Sequence, residues 1–296
     1  MSKPHLSKLN AAIDNPKAAA DKDLLKEAKD AYTSWIKSVE SLTTVGKEKV
    51  QDLTRLLNEY KDLLEVELIL RRGSDFLKRQ KGQMKLDNSV MEEFMMMLVD
   101  RDILTGLPTD FELHTGPQTA FMSMAFRPSS VASLNEKPDI ILKNKDQDFT
   151  IGRPIFYKFS SDSSFEDTKT VNGELFLAVL AAECKVNYDK TMFQECAGTA
   201  SRLKEGCPMS KYFALVEYLD MTPEDIQLTD IDNVYLLRHA KRLPYGKRND
   251  YATVKQHHAD HPIDSEVVFM FVQEIDKFIS AVWYDPDEAL ARGSFK

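Results

Sequence analysis

A glutamate and a lysine one residue apart, Glu183-Cys184-Lys185, end the apolar run LFLAVLAA at 175–182. An apolar run of that length, bounded by Gly173 and a charged triplet, reads as a buried strand. Alternation along a strand puts Leu177, Val179, Ala181, Glu183 and Lys185 on one face, and Leu180, Ala182 and Cys184 on the other. Opposite charges at the end of a buried strand are costly unless paired or used. A second apolar run, Ile140-Ile141-Leu142, is headed by Pro138-Asp139. An aspartate at the head of one strand and a Glu-x-Lys at the end of its neighbour can converge on one point. Two carboxylates, Asp139 and Glu183, can hold Mg²⁺, which takes oxygen ligands and keeps several waters. Such an ion polarises a phosphoryl oxygen and acidifies bound water. Lys185 can orient that water or stabilise the charge that builds on the phosphorus oxygens. A set of this kind hydrolyses phosphodiesters.

Glu-x-Lys alone is weak evidence, because it recurs at Glu27-Ala-Lys29 and Glu59-Tyr-Lys61 within amphipathic helical patterns. Its surroundings at 183–185 set it apart. Downstream, Thr191 and Gln194 match a capping box, and Phe193, Cys196, Ala197, Ala200 and Leu203 form one face of a helix that ends at Gly206. The small residues Ala197, Gly198 and Ala200 would let this helix lie close on a sheet. KYFALVEYL and VYLLRH read as further strands. TAFMSMAF (119–126) reads as a strand too, and FTIGRPIFYKF as an edge segment because of Pro154. DSEVVFMFVQEIDKFISAVW reads as a closing helix. Helices mixed with these strands make an α/β core.

Ahead of that core the pattern is helical. Leu25, Ala28, Tyr32, Trp35, Val39 and Leu42 repeat at three and four residues; after Gly46, so do Val50, Leu53, Leu57, Tyr60 and Leu64, a pair suited to a helical hairpin. A third helix, SVMEEFMMMLVDRD, carries Glu92 near a capping-box position, and its methionines suit core filling. Two basic segments hold glycine turns. One contains Arg71, Arg72, Lys78, Arg79, Lys81 and Lys85; the other contains Arg238, Lys241, Arg242, Lys247 and Arg248 around Tyr245 and Tyr251. Both suit contact with a nucleic-acid backbone, the second better because aromatic side chains interleave with the basic ones. A solvated surface would explain them as well.

The chain has 296 residues, 43% of them hydrophobic, and a net charge of -8. That balance argues against indiscriminate coating of nucleic acid and leaves room for a local basic surface. No apolar run is long enough to span a membrane, and the N-terminus lacks a signal core. Cys184, Cys196 and Cys207 have no paired spacing, so a cytoplasmic, disulfide-free protein is expected. His257, His258 and His261 offer imidazoles at helical spacing, but Pro262 follows them and no cysteine pair exists. A polar surface loop is the simpler reading.

With Pro138-Asp139 and Glu183-Cys184-Lys185 as its signature, the chain resembles the PD-(D/E)XK nuclease superfamily, the polar stretch 162–173 standing as an insertion. More narrowly, FLKRQKGQMKLDNS, AAECK with KTMFQECAGTASRLK, and KYFALVEYLDM resemble type II restriction endonucleases of the BbvCI type. The resemblance implies a mixed central sheet flanked by helices and preceded by a helical N-terminal region. It implies a helical region at 1–85 for DNA recognition or subunit contact, a nuclease core at 86–225, and a C-terminal strand, basic loop and helix at 226–296. It further implies a Mg²⁺-dependent endonuclease that cuts one strand of a short asymmetric double-stranded DNA site. The enzyme would work with a second, non-identical subunit, with scope for further oligomerisation. Asp139 and Glu183 would be metal ligands, Lys185 the catalytic lysine, and Glu92 or Glu93 a further ligand. Another nuclease of the superfamily, acting in repair or recombination, and a non-catalytic DNA-binding subunit are the alternatives.

Overall fold

The computed structural model describes residues 3–110, 112–281 and 286–293, the side chain of Glu288 excepted. Five strands, β1 (His114–Phe126), β2 (Ile140–Ser160), β3 (Thr170–Tyr188), β4 (Lys211–Leu219) and β5 (Asn233–Lys241), lie in the order β1-β2-β3-β4-β5. The first three are antiparallel to their neighbours in that order; β3, β4 and β5 are parallel. Parallel neighbours need a crossover. Helix α6 (Lys190–Gly206) supplies it between β3 and β4.

Before the sheet come α1 (Pro4–Ile13), α2 (Lys22–Glu40), α3 (Gly46–Lys61), α4 (Asp75–Gln80) and α5 (Asn88–Met97). The winding of α3 carries on over Asp62–Arg72 in a wider, π-type form. After the sheet come α7 (Tyr251–Asp260), α8 (Ser265–Ser280) and α9 (Pro286–Arg292). The expected pair of N-terminal amphipathic helices is present as α2 and α3, whose buried faces hold Leu25, Ala28, Tyr32 and Trp35, and Val50, Leu53, Leu57 and Tyr60. Of the expected closing helix, Val282 and Trp283 lie outside the described residues.

One apolar core draws on all three sequence regions. It joins Leu9, Leu25 and Leu57 of the N-terminal helices, Phe94 and Met95 of α5, Leu180, Ala182 and Cys184 of β3, and Val268 and Phe271 of α8. A smaller cluster fills the opposite face of the sheet under α6, with Ala181, Cys196, Ala200, Leu203 and Tyr212. Cys184 sits at zero exposure within the larger core, and burial pushes its thiol well up from the ordinary range.

Several expectations are corrected. Ile140-Ile141-Leu142 and the segment with Pro154 are one strand, β2, which lies between β1 and β3 only as far as Gly152 and is an edge from Arg153 on, as Pro154 suggested. Proline is tolerated there because pairing with β1 ends at Gly152, so β2 has only β3 beside it at Pro154. The strand with the charged triplet runs on past Lys185 to Tyr188. Its alternation also slips: Ile151 pairs with Leu180 while Gly152 pairs with Ala178, so Val179 is an extra residue. Gly152 permits that crossing, since a Cβ there would meet the Leu177 carbonyl oxygen at 2.2 Å. The cap of α6 is Asp189, accepting from the Met192 N–H at 2.9 Å, not Thr191. The histidine stretch forms α7 instead of a loop, with His258 buried against Asp62 at 2.8 Å.

Candidate active site

Where β2 passes from pairing with β1 to pairing with β3, its ladder with β3 begins at Phe149↔Ala182. Just before that point the Asp148 carboxylate, through Oδ2, accepts from the Cys184 N–H at 3.0 Å. This ties Asp148 to the middle of the Glu183-Cys184-Lys185 triplet. Glu183 and Lys185 project from the face opposite Cys184, and Lys185 Nζ lies 2.6 Å from Glu183 Oε2 and 3.9 Å from Asp148 Oδ2.

Helix α5 brings a third carboxylate. Its Asn88 side chain accepts from the Val186 N–H of β3 at 3.3 Å, which sets the start of the helix against the end of the charged triplet. One turn on, Glu92 is only 4% exposed, and its Oε1 is buried without a hydrogen-bond partner among the described residues. Lys85, just before α5, holds its Nζ 3.7 Å from Glu92 Oε1 and 3.7 Å from Asp148 Oδ1. On the other side Lys145 Nζ donates to Thr199 of α6. Glu92, Asp148 and Lys85 line a cleft of about 430 Å³, with Lys8 of α1 also on its wall.

Burial and the Asp148 charge both raise the Glu92 and Glu183 carboxyls above the ordinary glutamate range. For Lys185 burial acts to lower the value, yet the Glu183 and Asp148 carboxylates outweigh it and hold the ammonium charged. The cluster is therefore short of positive charge, with one lysine fixed as a cation. Among the described residues no three His, Cys, Asp or Glu side chains close on a single metal-sized point. A Mg²⁺ ion, which keeps several of its waters, needs only one or two carboxylates.

Asp139 does not join this cluster. It is exposed at the mouth of the β1–β2 connection, where its carboxylate takes the Arg127 Nε at 2.8 Å and its carbonyl takes the Arg127 N–H at 2.9 Å. It closes a loop, and up to ~30 Å of extended strand separates it from Asp148. Asp148 stands where Asp139 was expected. Of the two glutamates considered, Glu92 faces the cluster. Glu93 instead accepts from the Tyr32 hydroxyl and from the His5 N–H at 2.9 Å.

Of the basic residues in the two expected DNA-contact segments, Lys85 alone lines the cleft. Arg238 is corrected: it is 1% exposed, paired through Nε with Glu217 at 2.8 Å, and has no surface to offer DNA. Arg72 is held by Glu27 through two bonds of 2.7 Å, and Arg71 pairs with Glu67 at 3.1 Å. Arg242 and Arg248 both lie against Asp220, at 2.9 and 3.5 Å. Lys78 and Lys81 are partly buried, and Arg79, Lys241 and Lys247 are exposed. Sequence reasoning missed Asp148, Lys145 and Lys8. Asp148 had one legible signal, an acid directly ahead of the run FTI.

The family model for the Bpu10I restriction endonuclease matches residues 83–295, well over half of the chain. The chain belongs to that family. As a member of the Bpu10I restriction endonuclease family it is a nuclease, and the matched region contains Lys85, Glu92, Asp148, Glu183 and Lys185. A chain of the native BbvCI A2B2 tetramer superposes with a TM-score of 0.68 and 18% identity, covering 95% of this chain and 98% of that one. At that identity the likeness is one of fold, and it extends to the N-terminal helices that lie outside the family match. No curated protein matches the chain.

Proposed function

We propose that this nuclease is a type II restriction endonuclease subunit that hydrolyses one strand of a short asymmetric double-stranded DNA site with Mg²⁺. The observation that carries this reading is the meeting of Glu92, Asp148, Glu183 and Lys185 beside a cleft walled by Lys8 and Lys85. The donor set fits a hard divalent cation: three carboxylates, one with a buried oxygen lacking any donor. Asp148 and Glu183 would hold it, with Glu92 facing it. When bound it would polarise the scissile phosphoryl group and acidify a water.

The chain's own residues do the rest. Asp148, fixed by the Cys184 N–H, keeps its carboxylate beside the Glu183-Cys184-Lys185 triplet. Lys185, held as an ammonium by its neighbours, offers positive charge to the oxygens of the pentavalent phosphorus as charge grows on them. Lys8, Lys85 and Lys145 supply phosphate contacts on either side. The exposed members of the two basic segments, Arg79, Lys241 and Lys247 among them, are proposed as further DNA contacts. Among the described residues no helix is long and apolar enough to cross a membrane; action on DNA in the cytoplasm is part of the proposal.

A second, non-identical subunit is part of this reading, supported by the A2B2 assembly of the BbvCI structure. Two unlike active sites suit a sequence without two-fold symmetry. The test is digestion of varied plasmid DNA by the assembled enzyme with Mg²⁺. Discrete, reproducible fragments are expected; smearing or structure-dependent cutting would instead support a repair or recombination nuclease. Lys185→Ala paired with an intact second subunit should nick one defined strand. Unchanged double-strand cleavage by that assembly would make this chain a non-catalytic DNA-binding subunit.

A further inference from the structure

Lys85 is an unlikely residue for its position unless the acidic cluster holds it there. It adopts φ +56°, a left-handed conformation that favours glycine and costs a lysine on the order of 1 kcal/mol. It also stands just before the N-terminus of α5, the end of a helix where cations are disfavoured. Its backbone is locked there: the Lys85 N–H donates to the Gly82 carbonyl at 3.1 Å, and its own carbonyl accepts from the Ser89 N–H at 3.0 Å. Neither local feature gains anything from a lysine.

The side chain explains the choice. Its Nζ stands equidistant, at 3.7 Å, from Glu92 Oε1 and Asp148 Oδ1. That separation is beyond hydrogen-bond length, so charge alone holds it. Glu92 Oε1 has no other donor among the described residues. The lysine thus sits as a cation shared by two carboxylates, with its side chain 48% exposed. A long side chain anchored by charge, in an open cleft that faces Lys8, can leave without disturbing the fold.

We infer that Lys85 is a resident cation of the active site, occupying the place between Glu92 and Asp148 until a divalent ion displaces it towards the DNA phosphate. The inference rests on the metal reading above. The lysine offsets part of the carboxylate charge in the free protein, and a divalent ion, with twice the charge, offsets it fully in the loaded one. The released ammonium then adds to the phosphate grip, which couples metal entry to DNA binding.

The test is Ca²⁺ binding to the DNA-free full-length chain, measured by titration calorimetry, with Lys85→Met and Lys85→Gly compared with wild type. Lys85→Gly relieves the left-handed backbone, so it folds at least as well; circular dichroism checks both. Removing a competing cation should tighten Ca²⁺ binding by roughly tenfold, equivalent to ~1.4 kcal/mol. In Ca²⁺, DNA affinity should fall and its salt dependence should lose about one phosphate contact. Equal or weaker Ca²⁺ binding by both variants, with wild-type binding that Asp148→Asn abolishes, overturns the inference and leaves the metal site standing. No Ca²⁺ binding by any of the proteins overturns both.

Discussion

Arg238→Met separates two roles that the sequence left open for one residue. In the fold Arg238 is the inner member of a buried ion set. Its Nε lies 2.8 Å from Glu217, whose other oxygen lies 2.9 Å from Lys61, and Lys61 also pairs with Glu65. Two cations and two carboxylates balance, and all four side chains are at most 6% exposed. Removing the guanidinium leaves one uncompensated buried carboxylate and frees the His261 carbonyl, which it holds at 2.9 Å. Breaking a buried pair in this way costs about 3–5 kcal/mol. In a chain of this size that lowers Tm by about 6–10 °C. The assay is urea denaturation alongside calorimetry. The double variant Arg238→Met/Glu217→Leu restores the balance of Lys61 against Glu65 and should recover a large part of the loss. DNA binding below the melting range should keep its salt dependence. A loss below about 1 kcal/mol, or a reduced salt slope with stability intact, would refute the buried-ion account and return Arg238 to the DNA surface.

Other consequences follow from single contacts. Glu92 and Glu183 keep their protons to higher pH in the folded chain than in the unfolded one, because burial and the Asp148 charge raise them. The folded state therefore binds more protons, and this contribution falls as pH rises from the ordinary glutamate value through the raised ones. In metal-free buffer, Glu92→Gln should gain stability over wild type at pH 8 and lose that advantage towards pH 5, as urea melts at both ends would show. An equal difference at both pH values would contradict it. Gly152→Ala places a Cβ 2.2 Å from the Leu177 carbonyl oxygen and should cost about 1–3 kcal/mol by denaturant melts. A neutral effect would mean the β2–β3 crossing is not tight. Asp189→Ala removes the α6 cap and should cost ~1 kcal/mol by the same measurement.

Much of this architecture was legible in the residues. Glu183 and Lys185 stand out because charge interrupts a long apolar run, and the run, the helix after it and KYFALVEYL fold as the β3-α6-β4 unit. The register of the antiparallel half was not legible. β2 is 21 residues long, and NKDQD in its first half is a polar stretch that pairs with β1 alone and leads up to the cleft. A polar stretch between apolar runs looks like a loop from sequence, and that appearance hid Asp148 while promoting Asp139. Arg238 misled for a related reason. A basic residue near a glycine turn reads as surface, and only the tertiary meeting of Lys61, Glu65 and Glu217 buries it. Lys8 lay in α1, a helix the apolar periodicity of Leu6, Leu9 and Ile13 would have marked.

The central claim is that Asp148, not Asp139, works with Glu183 and Lys185. Strand-resolved DNA cleavage by the assembled enzyme in Mg²⁺, with Asp148→Asn and Asp139→Asn measured side by side, addresses it directly. Asp148→Asn should lose at least about 10²–10³-fold in rate on the strand this chain cuts, while the other strand is still cut. Asp139→Asn, which frees only a surface pair with Arg127, should stay within a few-fold of wild type. Loss of cleavage in Asp139→Asn together with an active Asp148→Asn would contradict the account.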